Sequence, residues 1–293
     1  MDPLEDEALP RAIALAWGVA ASPQRGPRRE LNIERIVEAA VQIADEQGLG
    51  AVSMSSVATA LGFTTMSLYR YVTAKDDLVL LMQEAGMGQP PLSIGESDGW
   101  RDGLTRWYRA SLEMYAAHPW ILEIPIVGEP NTPNNLAWLD AGLTVLRDTP
   151  LDQQSRVSAV LLVSGHSRWE AQITRGVPRE GATPTDRVIA GLVTAEQFPF
   201  LYPAIQAGAF ADDDNPFEFG LSRILDGLDR NMSDIAAGRP AVDPTPLDPG
   251  RAFAKDEKVK KARQIVKDAE KRLRDARKIE REAVAKARER AGG

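Results

Sequence analysis

At 293 residues and without a single cysteine, the chain has room for two domains and a sizeable core, and it excludes a disulfide framework and thiolate metal or redox centres. A formal net charge of −7 argues against a protein that coats nucleic acid by charge alone. No apolar run approaches the ~20 residues that span a bilayer and the acidic start MDPLEDEALP is wrong for a secretory signal, so a soluble, cytoplasmic chain with no membrane partner is expected.

Residues 8–17, ALPRAIALAW, predict a short amphipathic helix with Ile13, Leu15 or Ala16, and Trp17 on one side, either packed on the body or frayed. SPQRGPRRE follows, a Pro and Gly break rich in arginine. Two readings stand for it: a basic arm whose Arg28 and Arg29 reach a DNA backbone or minor groove, or a solvated linker. From Asn32, placed as a cap, Ile33, Ile36, Val37, Ala40, Val41 and Ala44 recur at helical spacing until Gly48. Ser53 is the next N-cap, ahead of a short helix with Val57, Ala58 and Leu61 on its apolar face and Gly62 as its stop. Phe63 turns the chain, and Thr64 caps a second helix, Thr65 to Tyr71, with Leu68 inward and Thr65, Ser67 and Arg70 outward. Two helices across a short turn with Gly are the helix-turn-helix pattern, whose second member lies in the major groove. Thr73 is expected to cap a third helix with Asp76 three residues on, placing Lys75 in its first turn, where an anion such as phosphate is favoured.

The run LYRYVTAKDDLV, preceded by VATALGFTTMS, resembles the signature of the TetR family of bacterial transcriptional regulators over residues 31 to 82; Tyr71 stands where many relatives have His or Phe. The resemblance implies an all-α fold, with an N-terminal three-helix DNA-binding domain followed by a helical ligand-binding and dimerising domain. It also implies a homodimer on double-stranded DNA with a palindromic operator, one major groove per subunit. Thr65, Met66 and Ser67 are then expected at base edges, with Met66 against a thymine methyl. Thr64, Tyr69, Tyr71 and Lys75 are expected on phosphates, and Arg70 on either.

Beyond the loop QPPLSIGESD, Ser97 or Asp98 starts a long helix in which Leu104, Trp107, Tyr108, Ser111, Met114, Tyr115 and His118 share a broad face until Pro119 breaks it. The HPW turn together with WRDGL resembles the C-terminal domain of one TetR subgroup. A helix with Leu136, Leu139, Leu143 and Leu146 follows the loop EPNTPNN, and another spans 152 to 174 with Val157, Val160, Leu161, Ser164, Gly165, Arg168 and Trp169 on or near one face. RGVPREGATPT and ADDDN are irregular, and a strongly apolar helix runs from Pro216 to near Gly238. By resemblance, this helix and that of 152 to 174 pair with their copies as a four-helix bundle.

AVDPTPLDPG is a Pro-rich linker to a long, net basic helix former whose apolar seam is narrow and rich in alanine. Three readings stay open for it: a solvated helix held by charge pairs, an antiparallel or intersubunit coil, and an auxiliary nucleic-acid contact. The expected divisions are an extension over 1–24, the helix-turn-helix domain over 25–82, the ligand-binding and dimerisation domain over 83–240, and linker with charged helix over 241–293.

Enzymatic chemistry finds little material. There are two histidines, no HExxH helix, no GxSxG elbow and no GxxxxGK loop, so no catalytic residue, metal site or cofactor is expected. A binding pocket draws better on the same residues, with Trp107, Tyr108, Met114, His118, Trp120, Trp138, His166, Trp169 and Glu170 as candidates for a small apolar or amphipathic effector. Core packing is the competing role for each of them. The expected function is a repressor released when that effector resets the helix after Asp98. A ligand-independent regulator, a scaffold protein using the basic tail, and a hydrolase built from scattered residues are the alternatives.

Overall fold

The computed structural model describes residues 9–19, 31–126, 128, 131–175, 192–208, 216–239, 256–269, 271–273 and 276, and every regular element among them is helical. The chain divides into two units, residues 1–240 and 241–293. In the first the order is α1 (Arg11–Ala16), α2 (Ile33–Gln47), α3 (Met54–Leu61), α4 (Thr65–Leu68), α5 (Lys75–Met87), α6 (Trp100–Ala117), α7 (Pro133–Val145), α8 (Gln153–Thr174), α9 (Leu201–Gln206) and α10 (Pro216–Ala236).

Short-range signals set several of the helix ends. Asn32 Oδ1 accepts the Arg35 N–H at 2.8 Å and caps α2. Ser53 and Ser56 form a reciprocal capping box at α3, which Gly62 closes in the left-handed region at φ 74°. Pro119 ends α6 and opens the 3₁₀ stretch Pro119–Glu123.

Three boundaries differ from the expected ones. Helix α4 stops at Leu68 rather than Tyr71, because Tyr71 and Val72 turn into the core with both N–H groups bonded back to the Leu68 carbonyl. Helix α5 begins at Lys75 with Ala74 at the cap position, since Thr73 gives its hydroxyl to Asp77. Helix α6 is capped by Gly99 at φ 106°. Ser97 packs against Gly103 instead, where an added Cβ would meet its hydroxyl at 2.7 Å, and the Asp98 N–H donates to Asp102 at 3.2 Å.

Two apolar cores result. The first joins α2 to α5 through Ile36, Ala40, Val57, Leu68, Val72, Leu78 and Met82, and takes in Trp120 and Ile121 from beyond α6. Gly86 of α5 permits that entry: a Cβ there would lie 3.1 Å from both Trp120 and Ile121. The second joins α6, α7, α8 and α10 through Leu104, Trp107, Trp138, Val160, Val163, Leu221 and Leu225. Each large aliphatic side chain among these contributes about 1.5–3 kcal/mol by leaving water, so the cores outweigh any single polar contact.

Helix α1 packs rather than frays. Leu15 and Ala16 lie on the first core, the Arg11 guanidinium donates to the Arg70 carbonyl at 3.2 Å, and Trp17 Nε1 donates to the Asn131 carbonyl at 2.9 Å. In α8 the inward arc is Ala159, Val160, Val163, Ser167 and Glu170, so Leu161 and Trp169 point out of the monomer. Phe217, Leu221, Leu225 and Met232 bury one side of α10, and Phe219 faces away.

In the second unit residues 257–269 are helical, and all but Val259 of them are exposed. Lys260 pairs with Glu257 at 2.8 Å and Gln264 with Asp268 at 3.0 Å, the spacing of a solvated helix. The arginine-rich arm with Arg28 and Arg29, the stretch 176–191, ADDDN and the Pro-rich linker lie outside the described residues. Among the described residues no helix is long and apolar enough to cross a membrane.

Candidate nucleic-acid interface and effector cavity

Helix α4 is anchored by one side chain. Leu68 is wholly buried, whereas Met66 is 73% exposed, Tyr69 45% exposed, and Arg70 exposed beside it. Thr65 and Ser67 are half-buried at its base, and the Thr64 and Ser67 hydroxyls lie 3.0 Å apart in a hydrogen bond. Lys75 stands exposed at the first turn of α5, next to Asp76 and Asp77. The expected phosphate contact of Tyr71 is corrected by its packing: the ring is buried and its hydroxyl donates to the Leu31 carbonyl at 2.9 Å, which ties α4 to the segment before α2. A buried hydroxyl already bonded to a backbone acceptor is not offered to a phosphate.

A cavity of about 80 Å³ lies where α5, α6, α7 and α8 meet. Helix α6 lines it with Trp107, Ser111, Met114 and Tyr115; α7 with Asn135, Trp138 and Leu139; α8 with Val160, Leu161 and Ser164; and Met87 closes the α5 side. The two indoles meet edge to face at 5.7 Å and 84°. Trp107 Nε1 donates to the Trp138 carbonyl at 2.8 Å, and Trp138 Nε1 to the Met87 and Gly88 carbonyls at 3.2 and 3.1 Å. Both indole N–H groups are therefore committed to backbone. Gly142 brings α7 close to α8, since a Cβ would sit 2.7 Å from Val160. Burial raises the Tyr115 phenol above its usual pKa, against the opposing pull of Arg168, so this wall is neutral.

Sequence similarity bears on this arrangement in two places. A family model described as "Bacterial regulatory proteins, tetR family" matches residues 36–82, and one described as "Tetracyclin repressor-like, C-terminal domain" matches residues 94–232. The HTH-type transcriptional repressor DrrR1 of Streptomyces coeruleorubidus is 34% identical over 237 residues, covering 75% of this chain and 86% of that relative. The chain belongs to the TetR family. Its described fold is similar to apo ActR from Streptomyces coelicolor, with a TM-score of 0.60 at 26% identity over 71% of this chain and 100% of that one. ActR in complex with actinorhodin gives 0.58 at 27% identity, over 68% and 95%. As a TetR-family member the chain is a DNA-binding transcriptional regulator.

Of the nine expected effector residues, this TetR-family chain brings Trp107, Met114 and Trp138 to the cavity. The other six lie elsewhere. Tyr108 faces α8, donates its hydroxyl to the buried Glu170, and stacks on His166 at 5.6 Å. Burial first, then the Glu170 bond, pushes the Tyr108 phenol far above its ordinary pKa. His166 Nε2 meets the Phe217 carbonyl at 2.8 Å, and Trp169 packs edge-on to Phe217 at 5.0 Å. His118 and Trp120 turn to the DNA-binding end, where His118 Nδ1 and Trp120 Nε1 both reach Asp45 Oδ1, at 2.8 and 2.6 Å. Adjacent helix positions point about 100° apart, so Trp107 and Tyr108 serve different neighbours. Met87, Ser111, Tyr115, Asn135, Leu139, Val160, Leu161 and Ser164 line the cavity without being among the nine. Ser111 carried the one local clue, lying four residues after Trp107 and so on the same arc of α6.

Proposed function

We propose that the chain is a homodimeric transcriptional repressor whose grip on a palindromic operator is released by a small apolar or amphipathic effector. The observation that carries the DNA-binding part is Met66, an apolar side chain held 73% exposed at the tip of a four-residue helix whose other side is locked by Leu68. Nothing in monomer stability calls for methionine there, whereas a thymine methyl in the major groove does. Thr65, Met66 and Ser67 meet base edges in this reading. Thr64, Tyr69 and Lys75 hold phosphates, and Arg70 reaches either. Arg28 and Arg29 belong to the same proposal as a basic arm on the backbone or minor groove.

The dimer part rests on the outward apolar face of α8 and α10. Leu161, Leu162, Trp169, Ile173 and Phe219 are each more than half exposed, an apolar face that a second copy would take out of water. A second copy covering it through the same two helices forms an isologous interface. The repressor sense follows DrrR1, the 34% identical transcriptional repressor, and the effector sense follows ActR in its complex with actinorhodin.

For the effector, the cavity offers aromatic and aliphatic walls with Ser111, Asn135 and Ser164 as its polar groups and no carboxylate or cation. That chemistry selects an uncharged, flat or aliphatic body. At about 80 Å³ the space is well below the ~300–1,000 Å³ of small-molecule sites, so the guest has to widen it. The same smallness favours a ligand-independent regulator as second reading. Selection of bound fragments from random DNA tests the first claim: a two-fold symmetric consensus is expected, and recovery of unrelated sequences refutes it. Screening the selected operator complex against apolar metabolites tests the second, where no release by any compound supports the ligand-independent reading.

A further inference from the structure

Glu84, near the end of α5, uses one carboxylate oxygen. Oε1 accepts the Asn134 N–H at 2.8 Å, while Oε2 is buried with no hydrogen-bond partner among the described residues. Asn134 is the second residue of α7, whose own cap Thr132 takes the Asn135 side-chain amide at 2.8 Å and accepts no backbone N–H of the helix. A carboxylate from α5 therefore caps α7, where the positive end of the helix favours it. The grip is mutual. Asn134 Nδ2 donates to the Glu84 carbonyl at 2.7 Å, Gln89 donates to the Asn134 side chain, and Trp138 Nε1 donates to the Met87 and Gly88 carbonyls. The last carbonyls of α5 have no partner within their own helix, and α7 supplies the donors.

The helix that holds α5 is also a wall of the cavity, through Asn135, Trp138 and Leu139. It is the wall most free to yield. Helix α7 fully buries only Trp138 and Gly142, whereas α6 and α8 each bury five residues. A guest larger than about 80 Å³ displaces the least buried wall first.

We propose that α7 carries effector occupancy to the DNA-binding end, with the Glu84–Asn134 pair and Trp138 as its grip on α5. The proposal rests on the effector-released repressor reading and names its coupling path. Leu78, Leu81 and Met82 seat α5 in the first core, so moving its last turn moves that core and α4 with it. Trp120 and Ile121 against Gly86 give the opposite side of α5 a fixed bearing. The half-bonded Glu84 carboxylate suits a joint that must let go, because its desolvation is offset on one oxygen alone.

A double-mutant cycle tests this without an effector. Ser164→Phe fills the cavity from α8 and presses on α7 as a guest would. Operator affinity, on the consensus from random DNA, should fall at least tenfold with Ser164→Phe. In a chain that also carries Glu84→Ala and Asn134→Ala the same substitution should cost less than threefold, and the latch variant alone should bind within threefold of wild type. Leu139→Trp crowds the same space from α7 and replaces Ser164→Phe if thermal melting and sedimentation show that variant unfolded. An equal loss with and without the latch overturns the α7 route, as does no loss from either crowding variant in the intact chain. If the wild-type chain selects no DNA sequence at all, the repressor reading itself falls, a result distinct from an intact operator affinity that crowding fails to change.

Discussion

Trp120 donates its indole N–H to Asp45 at 2.6 Å, joining positions 75 apart in the chain. Trp120 is 1% exposed, so the bond fastens the turn after α6 into the DNA-binding core, and His118 Nδ1 adds a second link to the same oxygen. The turn after α6 is thus pinned to α2 at one carboxylate.

Removing that carboxylate strands a buried donor. Asp45→Ala should destabilise the fold by about 1–3 kcal/mol, while Asp45→Asn, which keeps an oxygen acceptor, should cost less. Urea unfolding checks the order, and an unchanged midpoint for Asp45→Ala would show that the pin bears no weight.

Lys75 and Met66 should fail in different ways. Lys75→Ala should weaken binding to all sequences alike and reduce the salt slope by about one per subunit, since a phosphate contact carries no base information. Met66→Ala should change which bases win at one position of each half-site. Affinity measured against a set of single-base operator variants at several salt concentrations separates the two. A uniform loss from both would remove the division between base and phosphate contacts.

Tyr71→Phe deletes the hydroxyl that bonds the Leu31 carbonyl and leaves the ring in place. The expected cost is about 1 kcal/mol of stability with the salt slope unchanged. A lower slope at unchanged stability would return Tyr71 to the phosphate contacts.

Association should depend on α8 and not on the tail. Leu162→Arg puts a charge into the exposed apolar face and should shift sedimentation to the monomer. Deletion of residues 241–293 should leave both dimer and operator binding intact. Loss of the dimer on that deletion would make the charged helix the association element.

What could be read from the sequence depended on range. The caps at Asn32 and Ser53, the left-handed stop at Gly62 and the break at Pro119 act over four residues or fewer, so each is written where it works. The reading helix is recognisable for the same reason. Its length is not: whether α4 runs past Leu68 depends on Leu31, 40 residues earlier, receiving the Tyr71 hydroxyl.

The sequence by itself determined a helical chain with the TetR signature, an inward Leu68 and a broad aromatic arc on α6, because helical period and capping are local properties. Tertiary structure alone decided how that arc is shared out. The rotation of α6 against its neighbours sends Trp107 to the cavity and Tyr108 to Glu170, and the His118 turn to Asp45. Periodicity reports that a side chain points inward, but only the packing of distant helices fixes what it meets there.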